Sequence, residues 1–213
     1  MTKIEYIRPQ DIEKESFRLI GEELERKGLA VPEEFAHIIY RVIHTTADFE
    51  YADTMTFSEG VLEKARAVLY AAPTVITDTN MALAGINKSA LSSLGGRAVC
   101  FMADPDVAEE AKERGITRAA VSMQKAMKLP GPKIFAIGNA PTALLRIYDA
   151  VMEEGFAPDL VIGVPVGFVN VAASKERILA CGVPCIVNRG RKGGSNVAAA
   201  IVNALLYAER RRP

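Results

Sequence analysis

Hydrophobic residues recur at helical spacing in the first part of the chain. Residues 11–26 carry apolar side chains at intervals of about three to four positions, and Gly28 stands where a helix commonly ends. A second helix is predicted from Pro32, which suits a first helical position, and its apolar side runs as far as Ile43. The pattern therefore predicts that the first sixty residues are helical.

From about Pro73 onward, short apolar runs alternate with helical stretches. The runs are continuous, which is typical of strands that are covered on both faces of a sheet. The predicted strands are 74–77, 98–102, 133–137, 160–164 and 184–188. The predicted helices among them include 106–114, 141–154, 174–180 and 196–210. This alternation predicts an α/β fold, a three-layer α/β/α arrangement with a mostly parallel central sheet and an N-terminal helical segment.

Composition limits the class of protein. The 213 residues show no repeat or linker, so we expect one domain that spans residues 1–213. Hydrophobic residues make up 49% and charged residues 24%, which is ordinary globular usage and excludes a disordered or fibrous chain. Lys+Arg and Asp+Glu both number 26, and the only dense basic run is residues 210–212. We therefore expect no nucleic-acid partner.

Export and membrane insertion are not expected either. No apolar stretch approaches the roughly 20 residues of a spanning helix, and the first ten residues contain no apolar signal core. The expected location is the cytoplasm. Cys100, Cys181 and Cys185 lack metal-ligand spacing, so we expect them to be small buried hydrophobic residues and expect no metal site.

One stripe of the predicted second helix carries candidate chemistry. His37, Arg41 and His44 are spaced i, i+4 and i+7, so they share one side, opposite the apolar residues. A polar stripe is often only the solvated side of a helix, and this interpretation stays open for all three. His44 stands at the helix end among hydroxyls and a carboxylate, where it could donate a proton near neutral pH.

Loops that follow the predicted strands are further candidates, because ligands of such sheets bind beyond the carboxyl ends of the strands. After strand 133–137, Gly138 permits close approach to the backbone and Asn139 could cap the next helix. The loop 163–168, which contains Gly167, is apolar and could lie against a flat hydrophobic ligand. An ordinary turn and ordinary packing also explain these two loops.

The loop 188–196 is the most polar of them. It combines cations with a glycine-rich approach to a helix: Arg189, Arg191, Lys192, Gly193, Gly194 and Ser195. Such a helix start can bind a carboxylate or phosphate, although a solvated basic loop remains an alternative. The spacing matches neither a Walker loop nor a dinucleotide fingerprint. Arg118 is a further cation that stands alone.

An ordered set of segments runs through most of the chain: Tyr6-Ile7-Arg8 with Ser16-Phe17, Arg41-Val42-Ile43-His44, Thr117-Arg118, Ile137-Gly138-Asn139-Ala140-Pro141-Thr142-Ala143-Leu144, Gly163-Val164-Pro165-Val166-Gly167-Phe168-Val169 with Ser174-Lys175, and Arg189-Gly190-Arg191 with Gly193-Gly194-Ser195. Together they resemble the precorrin-8X methylmutase family, also called cobalt-precorrin-8 methylmutases, of corrin-ring biosynthesis. The resemblance implies an isomerase that moves a methyl group from C-11 to C-12 of precorrin-8X or cobalt-precorrin-8. The product would be hydrogenobyrinate or cobyrinate, and no cofactor is needed.

The resemblance also implies roles for single residues. His44 would donate and recover a proton at the macrocycle, while Ser16, Arg41 and Arg118 would bind substrate. It further implies a homodimer with the substrate near the interface. A precorrin is a flat, partly apolar ring with several carboxylates, so the apolar loop could form a floor and the cations could receive the carboxylates. The remaining predicted substrate-binding residues are Asn139, Gly167, Arg189, Arg191, Gly193, Gly194 and Ser195.

Two alternatives to the isomerase stay open. A phosphate- or nucleotide-binding α/β enzyme would use the turn 190–195, with Asp78 as a candidate metal-binding residue at a strand end. A non-catalytic tetrapyrrole carrier would hold the ring without converting it and would not depend on His44.

Overall fold

The computed structural model describes residues 6–210, except for the side chain of Arg210, so the predicted basic run 210–212 lies outside the described side chains. The strands are Met55–Phe57 (β1), Thr74–Thr77 (β2), Arg97–Val99 (β3), Lys133–Ile137 (β4), Leu160–Gly163 (β5) and Cys185–Asn188 (β6). They form one sheet in the order β1-β6-β5-β4-β2-β3. Neighbouring strands from β6 to β3 are parallel, and β1 pairs antiparallel with β6.

Helices connect the strands. They are Ile12–Lys27 (α1), Ala36–Thr46 (α2), Tyr51–Thr54 (α3), Val61–Tyr70 (α4), Asn80–Gly85 (α5), Lys88–Ser93 (α6), Pro105–Arg114 (α7), Arg118–Met127 (α8), Pro141–Glu154 (α9), Val171–Ala180 (α10) and Ser195–Arg210 (α11). Short 3-10 turns at Pro9–Asp11 and Glu33–Phe35 precede α1 and α2.

The sheet is apolar on both faces, as its continuous hydrophobic runs predicted. Along β4, Ile134 and Ala136 belong to a core cluster with α2 and α11, whereas Phe135 and Ile137 belong to a second cluster with α8 and α9. Alternate residues of a strand point to opposite faces, so helices cover both sides of the sheet. The predicted three-layer α/β fold with a mostly parallel sheet is confirmed.

Some local predictions are wrong. The first sixty residues are not all helical, because Met55–Phe57 forms β1 at the edge of the sheet. A run of three residues is too short to show the two-residue alternation of a strand, and its partner β6 lies far along the chain. The predicted strand 98–102 ends at Val99, and the predicted helix 174–180 already begins at Val171. Cys185 is buried as predicted, whereas Cys100 and Cys181 are only half-buried.

The order of the strands defines where a site can lie. β3 lies on one side of β2, whereas β4, β5 and β6 follow in turn on the other side, so the direction of winding changes between β2 and β4. The loops that leave the carboxyl ends of the parallel strands meet along one edge of the sheet.

Candidate active site

His44 stands in the last turn of α2. The helix ends at Thr46, and Ala47 takes a left-handed φ of 54° while its N–H donates to the carbonyl of Ile43. The His44 imidazole is exposed, and the ring of Phe17 from α1 meets it edge-on, with 5.8 Å between the ring centroids. Within residues 6–210 it has no hydrogen-bond partner, so both ring nitrogens are open to a ligand. This arrangement suits a group that exchanges a proton with a bound molecule.

The Arg41 guanidinium forms an ion pair within the chain. Its Nη1 donates to Glu13 Oε2 and its Nη2 lies near Glu13 Oε1, each at 2.9 Å. The guanidinium carbon lies 5.1 Å from the centroid of the Phe17 ring and 5.0 Å from that of the Tyr207 ring. The side chain is 14% exposed, and its charge is already compensated by a carboxylate. The predicted role of Arg41 in substrate binding would therefore require that its ion pair with Glu13 be broken or shared.

The cations of the loop 189–195 differ in their partners. Arg189 donates to Glu176 at 3.0 Å, and Lys192 lies 2.5 Å from Asp48 and 2.7 Å from Glu50. Arg191 is exposed, lies over the ring of Phe168 and has no acidic partner among the described residues. Of the three cations predicted to bind an anion, Arg191 is thus the one whose charge is not already paired.

Lys192 joins the basic loop to the end of α2. Its acidic partners Asp48 and Glu50 lie four and six residues after His44 in the chain. The hydrogen bond from Lys192 lowers the pKa of the Asp48 carboxyl, and the two carboxylates raise the pKa of Lys192. These contacts bring His44 and the basic loop to the same part of the molecule, as their joint use in one site requires.

Lys175 is a residue of this region that the sequence reasoning did not single out. It belongs to α10 and is fully buried, and its Nζ donates to the carbonyls of Gly190 and Lys192 at 2.9 and 2.7 Å. Buried Asn188 donates from Nδ2 to the Lys192 carbonyl as well. Two buried donors therefore hold the basic loop in place. Only the position of Lys175 beside Ser174, within a segment shared with the methylmutases, could have pointed to it.

The Lys175 ammonium makes stability depend on pH. Burial lowers its pKa from 10.5 to about 8, so between those values the unfolded chain binds more protons at this residue than the folded chain does. The free energy of unfolding should rise with pH in that range, by at most about 3 kcal/mol. Urea unfolding at about pH 7 and about pH 10 should show the rise in the unchanged protein and not in Lys175→Met. An equal pH dependence in both proteins would contradict it.

The glycines of the predicted anion site serve packing. A Cβ on Gly193 would stand 2.1 Å from the carbonyl oxygen of Val164, and the Gly194 N–H donates to the same oxygen. A Cβ on Gly138 would stand 2.7 Å from the Cα of Ser195. The loops after β4, β5 and β6 therefore touch one another, and the Gly194 N–H is already bonded within the chain. The Ser195 hydroxyl lies 2.7 Å from that of Thr79.

Asp78 occupies the place where the winding of the sheet reverses. The buried carboxylate accepts the N–H groups of Gly138, Asn139 and Ala140 at 2.8, 2.8 and 2.6 Å. Burial raises the pKa of this carboxyl, and the three donors oppose the rise. The chain thus places its own anion at the start of α9, where a nucleotide phosphate would bind in such a fold. Asp78, the candidate metal-binding residue of the nucleotide-binding alternative, is thus buried and engaged by three backbone donors.

The remaining predicted residues are more widely spread. Ser16 donates its hydroxyl to the carbonyl of Ile12 within α1. Arg118 is exposed at the start of α8, in the layer opposite α2, and no hydrogen bond or ion pair joins it to His44 in the described residues. Asn139 is exposed after β4, and Gly167, at φ 142°, donates its N–H to the carbonyl of Arg191. That last bond places the apolar loop beside the basic loop.

The apolar loop after β5 is open to solvent. The exposed fractions are 46% for Val166, 83% for Phe168 and 77% for Val169. Packing within the chain does not explain three such side chains, so they are available to contact a ligand or another chain. Within residues 6–210, no helix is both long and apolar enough to cross a membrane, and no cluster of three or more His, Cys, Asp or Glu could hold a metal ion.

Comparison with known proteins shows the family of this chain. The family model for precorrin-8X methylmutase matches residues 11–208. The chain is 45% identical to a cobalt-precorrin-8 methylmutase of Salmonella typhimurium, over 93% of this chain and 95% of the relative. It is 43% identical to that of Priestia megaterium, over 93% and 88%. It is 38% identical to a precorrin-8X methylmutase of Pseudomonas aeruginosa, over 95% and 97%.

A solved structure supports the same conclusion. The precorrin-8X methylmutase of Thermus thermophilus superposes with a TM-score of 0.83 at 36% identity, and the match covers 93% of this chain and 95% of that one. Likeness in sequence and in fold thus extends over nearly the whole length of both proteins. The chain belongs to the precorrin-8X methylmutase family, and it is an isomerase of corrin biosynthesis.

Proposed function

We propose that this chain moves the methyl group from C-11 to C-12 of precorrin-8X or cobalt-precorrin-8, and that His44 donates and recovers the proton that assists the shift. The observation that carries the proposal is the exposed His44 imidazole, backed by Phe17 and joined through Lys192 and its carboxylate partners to the basic loop. The products are hydrogenobyrinate and its cobalt-containing counterpart, cobyrinate.

The reaction balances without a cofactor. The bond from C-11 to the methyl carbon breaks and the bond from C-12 to that carbon forms within one molecule, as a 1,5-sigmatropic shift. A proton placed on the ring by His44 favours the migration and returns to His44 afterwards, so no atom is gained or lost. General acid catalysis of this kind typically contributes about 10²- to 10⁴-fold.

The surroundings of His44 suit this substrate. A precorrin carries carboxylates around a broad apolar ring, and the exposed Val166, Phe168 and Val169 offer an apolar surface for its face. Arg191, whose charge has no acidic partner in the described residues, is placed beside that surface to receive a ring carboxylate. Asn139 is exposed after β4 and would contact the ring edge, whereas Arg118 lies in the layer opposite α2, and its role stays a prediction from the resemblance.

The chain should also act as a homodimer in the cytoplasm, as the resemblance implies. The exposed apolar loop supports an association between copies, because such a patch costs free energy when it faces water. Light scattering of the purified protein should give a mass that corresponds to two chains. A mass of one chain at working concentration would contradict this part of the proposal.

The absorbance of the ring provides the test of function, because methyl migration changes its conjugation. We expect purified protein to convert precorrin-8X, cobalt-precorrin-8 or both, and the substrate that is converted faster identifies the natural one. A spectrum of bound chromophore without conversion of either substrate would favour the tetrapyrrole carrier. The nucleotide-binding alternative is disfavoured because the Gly194 N–H of the turn 190–195 is already bonded to the Val164 carbonyl, and the Asp78 carboxylate is bonded to three backbone N–H groups.

A further inference from the structure

Phe17 is the contact through which α1 reaches His44. Its ring meets the His44 imidazole at an interplanar angle of 90° and lies 5.1 Å from the guanidinium carbon of Arg41. Arg41 and His44 are three positions apart on α2, so they flank the same point on the helix surface. The orientation of the His44 imidazole therefore depends on how α1 packs against α2.

Arg41 of α2 contacts both α1 and α11. It pairs with Glu13 of α1 through two nitrogens, and its planar group lies between the rings of Phe17 on α1 and Tyr207 on α11. A planar, two-pronged group of this kind resists rotation and sliding, which a flexible ammonium would allow. Its 14% exposure leaves little of it for a ligand.

We propose that Arg41 is a positioning residue, which together with Glu13 holds Phe17 against His44, and that it does not bind a substrate carboxylate. This inference rests on the proposed function, since it concerns the orientation of the His44 imidazole toward the substrate. It reverses the role that the resemblance implies for Arg41. A proton donor that is displaced by about 1 Å can lose as much as about 100-fold in rate, whereas substrate binding is little affected.

Steady-state kinetics separate the two roles of Arg41. If it is a positioning residue, Arg41→Gln should lower kcat by about 10-fold or more and change KM by less than about 3-fold. Glu13→Gln should behave in the same way, and the double variant should be no worse than either single one. If Arg41 instead binds a carboxylate, Arg41→Gln should raise KM, and Glu13→Gln, by freeing the cation, should lower it. That pattern would overturn the proposal.

A conservative variant sharpens the comparison. Arg41→Lys keeps the positive charge but not the paired, stacked geometry, so we expect it to resemble Arg41→Gln in kcat. Full rescue by lysine would contradict the proposal. Arg18→Gln is the matched control, because Arg18 lies on α1 and pairs with Glu15 and Glu22 at the exposed surface. Thermal unfolding of each variant should show that the folded state persists at the assay temperature.

A measurement without substrate distinguishes failure of this inference from failure of the proposed function. The chain has two histidines, so NMR of their ring protons gives two sets of signals, which His37→Gln assigns. The Phe17 ring current should displace the His44 signals, and Phe17→Leu should remove that displacement. We expect Arg41→Gln to move the His44 signals in the same direction as Phe17→Leu. Unmoved His44 signals would overturn the positioning role, whatever the turnover of the variant, whereas normal turnover in His44→Ala would overturn the proposed function.

Discussion

The His44→Ala variant is expected to lose turnover by about 10²- to 10⁴-fold while it folds and binds the tetrapyrrole as the unchanged protein does. His44 is exposed at the end of α2 and has no hydrogen-bond partner in the described residues, so its removal leaves no buried group unpaired. Single-turnover absorbance measurements with saturating protein should separate slower conversion from weaker binding.

His37→Ala is the matched control for that experiment. His37 lies on the same helix, seven residues before His44, and is half-buried. We expect its replacement to leave turnover within about 3-fold of the unchanged protein, since a lost surface contact commonly costs well under 1 kcal/mol. Equal losses in both variants would point to damage of α2 and not to a proton donor.

The Asp78→Ala variant is expected to lose about 3 kcal/mol or more of its free energy of unfolding. Three N–H groups, of Gly138, Asn139 and Ala140, donate to the Asp78 carboxylate, and a buried donor without an acceptor costs about 1–3 kcal/mol. For a chain of this size, the melting temperature should fall by about 6–12 °C. Differential scanning calorimetry measures both quantities.

Two comparison variants test the cause of that loss. Asp78→Asn keeps one oxygen and should lie between the unchanged protein and Asp78→Ala. Asp53→Asn changes an exposed carboxylate at the surface, and its melting temperature should move by less than about 2 °C. If Asp78→Ala melted like Asp53→Asn, the three hydrogen bonds would not be holding the loop after β4.

The fold was largely predictable because each central strand is hydrophobic on both faces. β2 and β4 were predicted with their observed ends, since Pro73 and Gly138 mark the limits of their apolar runs. β1 was missed because its three residues acquire a strand's geometry only by pairing with β6. Such pairing depends on residues far apart in the chain and leaves no local pattern.

The candidate site was predictable in part. The helical placement of Arg41 and His44 followed from their spacing, while their use in one site stays a prediction from the resemblance. The ion pairs of the cations could not be predicted from the sequence. Arg41 pairs with Glu13 and Lys192 pairs with Asp48, and only the packing of separate elements brings these partners together. The glycines before α11 suggested an anion site, whereas Gly193 in fact permits contact with the Val164 carbonyl.

Buried polar groups were the hardest to foresee. Lys175 lies in α10 among residues of ordinary helical pattern, and a lysine is expected at the surface. It is buried because two carbonyls of the basic loop turn inward to its Nζ. Asp78 is buried for a similar reason, as the acceptor of three N–H groups of the neighbouring loop.

The proposed shift of the methyl group from C-11 to C-12 can be followed through the fate of the migrating carbon. Substrate labelled with ¹³C at the C-11 methyl group should be converted by the unchanged protein and examined by ¹³C NMR and mass spectrometry. We expect that the label appears on C-12, that each product molecule has the mass of its substrate, and that His44→Ala slows this transfer. Label that stays on C-11, or a product of altered mass, would contradict it.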